Sequence, residues 1–230
     1  TVVLTDGEPA SGLAVANVID KATGSVTPYT DLQTALNATV TGDTVQLIRD
    51  IEVSNKDITD TIGAENQGVI VVPAGVTLDG NYKTISADAT TWKQFNGSKT
   101  NNHILSVEGS GAQTTTIQNL YIVGVNETNM KSKAGVNAYN GANVVLNDVY
   151  IDRCGSVGVQ VNGATVEING GEIKDNNWGG VNVDSTVSQN SQLTVNDADI
   201  LDETSIYVEH NTNSASQKME VVVNGGTYQN

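Results

Sequence analysis

The side chains able to do chemistry are few. Cys154 is the only cysteine among 230 residues, and the two histidines, His103 and His210, stand far apart. A catalytic thiolate needs a neighbouring base and a zinc ion needs clustered donors, so neither chemistry is expected. Cys154, at the end of an apolar-patterned segment, reads as a small buried residue, and each histidine, beside a polar loop, as a surface residue. Only Arg49 and Arg153 could serve as arginine bases. Arg153 would need carboxylates to hold calcium beside it, and Asp152, Asp175 and Asp202 are at hand; a surface ion pair between Arg153 and Asp175 is the reading adopted. No cofactor is expected. Calcium could sit at the acidic pair Glu172 and Asp199, but solvent screens like charges as well. The surface best suited to a ligand combines amides and aromatics: Asn137, Gln160 and Asn182 with Tyr139, Trp178 and Tyr207. Planar amides orient sugar hydroxyls and aromatic rings face the sugar, the mix of polar and apolar contact that a ligand site needs.

These residues must be brought together by a repeat. The segments VTLDG (76–80), TIQNL (116–120), VVLNDVYI (144–151), VEINGGEI (166–173), LTVNDADI (193–200) and VVVNGGTY (221–228) align on Asp79, Gln118, Asn147, Asn169, Asn196 and Asn224. A second column runs through Val136, Val159, Val181 and Ile206 at intervals of 23, 22 and 25. Each unit therefore reads as three short strands with turns between, too small to bury its own inner face. Stacked units close one core at about 4.8 Å per rung. Alternation puts Val136, Val159, Val181 and Ile206 inside, and leaves Asn137, Gln160, Asn182 and Tyr207 outside, followed by Tyr139, Asn162, Asp184 and Glu209. The recurrent Asn is expected at a corner, where it tolerates left-handed φ and its amide bonds up and down the stack, turned inward.

With this column the chain resembles the right-handed parallel β-helix, or pectate-lyase-like, superfamily, in which an internal asparagine ladder sits at the turn between the second and third sheets. The matching residues are Asn147, Asn169, Asn196 and Asn224, with Gln118 and Asp79, and the resemblance covers roughly residues 40 to 230. It implies an all-β fold: a single-stranded right-handed parallel β-helix of about seven coils, occupying 43–230. Polar insertions are expected at 90–103, 126–133, 185–192 and 210–218. Residues 1–42 read as a leader and a capping helix. In PYTDLQTALNATVTGDTVQLIRDI a cap at Thr30 or Asp31 precedes Leu32, Ala35 and Leu36 at helical spacing, Gly42 stops the helix and VQLI follows as a strand. That opening is similar to the start of β-helix domains in large bacterial cell-surface and secreted proteins. Enzymes of the superfamily carry clustered aspartates, or an arginine or lysine with calcium ligands, on the first sheet; this chain places amides and separated carboxylates there.

The net charge of -15, from 26 acidic against 11 basic residues, opposes binding to nucleic acid or to anionic lipid. No apolar run is long enough to span a bilayer and no charged-then-apolar leader precedes Thr1, so the chain reads as a mature or excised segment whose natural protein is expected to continue. The function expected is a non-catalytic module of a bacterial extracellular or cell-surface protein, an adhesive surface for glycans or host surface proteins or a structural stalk. The alternative is a polysaccharide-active enzyme, a lyase or glycoside hydrolase acting on acidic, plant or host polysaccharides.

Overall fold

The computed structural model describes residues 13–56, 66–93, 102–109, 113–128, 130–184, 189–210 and 217–229. The expected polar insertions fall partly outside these residues, as does the first part of the leader. Apolar residues alternate along most segments, and strands dominate accordingly. The N-terminal part holds β1 (Ala16–Ile19), β2 (Val26–Tyr29), helix α1 (Leu32–Asn37), β3 (Thr44–Leu47) and β4 (Ile51–Val53). Then come β5 (Gly68–Val71), β6 (Thr77–Ala87), β7 (His103–Glu108), β8 (Thr114–Val123), and the short β9 (Asn126–Glu127) and β10 (Met130–Lys131). The most regular part follows: β11 (Val136–Tyr139), β12 (Asn143–Asp152), β13 (Val157–Asn162), β14 (Thr165–Lys174) and β15 (Gly179–Asp184). It continues through β16 (Ser191–Asn196), β17 (Asp199–Ile200), β18 (Ile206–Glu209) and β19 (Met219–Val223).

The described strands form two long sheets and one two-stranded ribbon, β9 with β10. The larger sheet runs β19-β16-β14-β12-β8-β6-β3-β1-β2, with β17 on β14 and β4 on β6; the smaller runs β18-β15-β13-β11-β7-β5. From β11 to β16 the chain visits the two sheets in turn, so each repeat adds one parallel strand to each. In the smaller sheet Val136, Val159, Val181 and Ile206 stand side by side, as do Asn137, Gln160, Asn182 and Tyr207. In the larger sheet Asp79, Gln118, Asn147, Asn169 and Asn196 share one column.

The second and third strands expected of a repeat are one bent strand in β6, β8, β12 and β14, and two separate strands in β3 with β4 and in β16 with β17. Pairing runs through β8, β12 and β14 with a single residue skipped at the bend, and that residue has positive φ: Asn119 at 50°, Asp148 at 50° and Gly170 at 72°. One left-handed residue turns the chain without ending the ladder of backbone hydrogen bonds, so among the described residues both arms of the bend stay in one sheet.

Antiparallel β1 and β2 extend the larger sheet past β3. Asp31 caps α1 by accepting from the Thr34 amide at 2.7 Å, and the helix ends at Asn37, before Gly42. Its buried residues Leu32, Ala35 and Leu36 join the core, which also takes in Val45, Val136, Val159, Ile168 and Val195. Beside them Gln33 reaches across to β5: its amide donates to the Val71 carbonyl at 3.0 Å and accepts from the Val71 amide at 2.8 Å, satisfying both backbone groups of that residue. Among the described residues no helix is long and apolar enough to cross a membrane.

Candidate functional site

Only part of the expected ligand surface is open. Asn137 is fully buried and Tyr139 and Asn182 nearly so, Gln160 is half-buried, while Trp178 and Tyr207 are 60% and 45% exposed. The register puts the buried residues on the outer side of the smaller sheet, but chain folds back over it. Asn137 donates to the Asn66 carbonyl at 2.7 Å, and Tyr139 meets Glu108 at 3.3 Å and Gln67. Burial first, then the Glu108 charge, push the Tyr139 hydroxyl up to about 12. Asn137, Tyr139 and Asn182 therefore do not form an exposed platform. Asn162 and Asp184, expected outside beside them, are buried too.

Trp178 and Tyr207 do come together, with ring centroids 6.2 Å apart in an edge-on arrangement. Trp178 lies at the corner leading into β15, with hollows on either side. One, of about 400 Å³, is lined by Lys131, Ser132, Lys133, Gly155, Ser156, Asn177 and Trp178. The other, of about 180 Å³, is lined by Val157, Trp178, Thr204 and Tyr207. The first is assembled from three successive corners held by backbone bonds. The Ser156 amide donates to the Lys133 carbonyl at 3.1 Å, and the Trp178 amide to the Ser156 carbonyl at 2.8 Å. Gly155 lets these corners approach, since a Cβ there would lie 2.5 Å from the Ser132 carbonyl oxygen and 2.6 Å from Lys131 Cβ. Among the described residues no carboxylate lines either hollow, and two lysines line the larger. In a chain of net charge -15 this is a local reversal of sign. Lys131 and Lys133 were missed in the sequence because they fall in an insertion, where no column identifies neighbours.

The remaining candidates are accounted for locally. Asn169 Nδ2 donates to Asn147 Oδ1 at 2.9 Å, Asn196 Nδ2 to Asn169 Oδ1 at 2.9 Å and Asn224 Nδ2 to Asn196 Oδ1 at 2.7 Å. This ladder is not internal as expected. Asn147, Asn169 and Asn196 are half-buried, because each follows a buried residue (Leu146, Ile168, Val195) and so points outward; Asn224 is exposed. A second ladder, unforeseen, lies at the corner before the smaller sheet. The Cys154 amide donates to Asn176 Oδ1 at 2.9 Å, the Asn176 amide to Asp202 Oδ1 at 2.7 Å, and Asn176 Nδ2 to Asp202 Oδ2 at 3.0 Å. Burial raises the Asp202 carboxyl against the pull of these bonds. Mixed residue types, Cys, Asn and Asp, hid that column from a search for identities.

Arg153 pairs with Asp152 at 3.4 Å, not with Asp175, since Arg153 and Asp175 both sit at left-handed bends, φ 54° and 55°. Glu172 is answered by Lys174 at 2.5 Å and Asp199 by the Thr227 amide at 3.0 Å. Among the described residues no group of three acidic, histidine or cysteine side chains could hold a metal. Cys154 is buried, and desolvation drives its thiol far above the usual range. His103, expected at the surface, is fully buried and its Nδ1 accepts from the Ala134 amide at 3.2 Å; His210 is exposed. An aromatic pair that the sequence reading did not single out, Tyr121 and Tyr150, stacks at 4.7 Å along the larger sheet. No family model, no curated protein and no solved structure matches the chain.

Proposed function

We propose that this chain is a right-handed parallel β-helical module of a bacterial extracellular or cell-surface protein, with α1 capping its first rung, and that it binds glycans without transforming them. The observation that carries the binding reading is Trp178, a large aromatic left 60% exposed between two hollows, with the Tyr207 ring edge-on beside it. An exposed ring stacks on the apolar face of a sugar, while Asn177 and Ser156 supply polar contacts. Lys131 and Lys133 favour a sugar bearing carboxylate or sulfate over a neutral one. A non-catalytic role is supported by the lining, because glycoside hydrolysis needs two carboxylates across the bond to be cut and, among the described residues, neither hollow presents one. The test is calorimetric titration and a glycan array with wild-type and Trp178→Ala protein. Binding lost in the variant, with substrate recovered uncleaved, supports the proposal. Binding unchanged in the variant, or release of reducing or unsaturated sugar, overturns it.

A further inference from the structure

We propose that Tyr121 and Tyr150 form a site of oxidative modification, at which a peroxidase-class one-electron oxidant joins the two rings as dityrosine and ties β8 to β12. The two residues are register partners on neighbouring parallel strands, well inside the stack. Their rings stack with centroids 4.7 Å apart and planes 19° from parallel, so the reacting groups are held together before any oxidant arrives. Tyr121 is 38% exposed and Tyr150 half-buried, and both line an open hollow of about 210 Å³, which gives an oxidant its approach.

Each phenol gives one electron to the oxidant and its hydroxyl proton to water, leaving a phenoxyl radical shared with the ring carbons ortho to the oxygen. An ortho carbon of Tyr121 bonds to its counterpart on Tyr150. Each of these carbons then loses its hydrogen as a proton while the phenol oxygen regains one, and both rings are aromatic again. In sum, two phenols lose two electrons and two protons, and hydrogen peroxide takes them up to become two molecules of water. The side chains need only tilt for the carbons to meet.

All seven tyrosines lie among the described residues, and among them no other two stack on each other. Tyr82 is 58% exposed but stands at the bend of β6, while Thr84 takes the place beside Tyr121 in the column. Tyr139 is buried with its hydroxyl on Glu108 at 3.3 Å, and Tyr207 meets Trp178 edge-on.

The experiment adds a peroxidase and hydrogen peroxide to the dilute full chain, recovers the monomer from a denaturing gel, and reads dityrosine by fluorescence and by mass spectrometry after trypsin. Trypsin cuts after Lys131, Lys133 and Arg153, so Tyr121 and Tyr150 fall in separate peptides. The expected product is those two peptides joined, lighter than their sum by two hydrogens, with fragment ions placing the bond on Tyr150 and not on Tyr139. Tyr121→Phe and Tyr150→Phe keep both rings and remove one phenol, and each should cut the monomer's dityrosine several-fold, whereas Tyr82→Phe should leave it unchanged. The same treatment in urea should spread the linkage over other tyrosines. No linked product from the folded chain, linkage chiefly through another tyrosine, or undiminished dityrosine in Tyr121→Phe or Tyr150→Phe would overturn the proposal.

Discussion

A single amide in the outer ladder does two jobs, and its removal measures both. Asn169→Ala loses one donated and one accepted bond at a half-buried position and leaves the amides of Asn147 and Asn196 short of a partner. A loss of about 1–3 kcal/mol is expected from urea unfolding. Asp88 gives a pH signature. Hydrogen bonds from the Thr90 and Thr91 hydroxyls, then the Thr90 amide, hold its carboxyl down to about 2. A folded value below the unfolded one stabilises above the ordinary carboxylate range, near 3.9, and that stability fades as pH falls toward 2. The urea midpoints of wild type and Asp88→Asn should therefore differ by a constant amount above about pH 5 and converge toward pH 2. Cys154, buried with its thiol proton held tightly, should resist a thiol reagent in the native state and react fully once unfolded. Reaction at native conditions would show that the corner at 154 opens.

At the level of strands, the bend in the larger sheet is set by backbone handedness, and β14 shows it most sharply. Gly170 and Gly171 both have positive φ, 72° and 85°, and a Cβ on Gly171 would run into the Val149 carbonyl. Gly171→Ala should cost upwards of about 1 kcal/mol, because strain and collision add, whereas Asp148→Gly at the equivalent bend of β12 should be near neutral. Thermal melts of the two variants check this. The strands and their register were legible, because apolar columns at intervals of 23, 22 and 25 leave a parallel stack one way to align. The side on which the ladder lies was not read correctly. Asn147 was given the bend itself, and the bend belongs to Asp148, one residue on, so the amide faces outward. Exposure was the larger failure. Alternation tells which face Asn137 and Tyr139 occupy and nothing about the chain at Asn66 and Gln67 that meets them there. Trp178 stays open because it stands at a corner, off the covered sheet face, and Tyr207 is exposed within β18, while Lys131 and Lys133 sit in an insertion with no repeat partner to mark them.

For the molecule as a whole, charge sets two opposing responses to salt. A net charge of -15 repels itself in the folded form, so added salt should raise the urea midpoint, whereas the proposed attraction between the lysine-lined hollow and an acidic glycan should weaken as the Debye length shrinks toward about 3 Å at 1 M. Salt titrations of stability and of binding, run on the same preparation, should move in opposite directions. The hollows flanking Trp178 also share an orientation, for their walls come from the successive corners 131–133, 155–156, 177–178 and 204–207, each laid over the one before. Such a trough is graduated like a ruler, one mark about every 4.8 Å, and a polymer lying in it would be read unit by unit along its length. Preference for longer chains would then be a matter of how many marks the ligand spans.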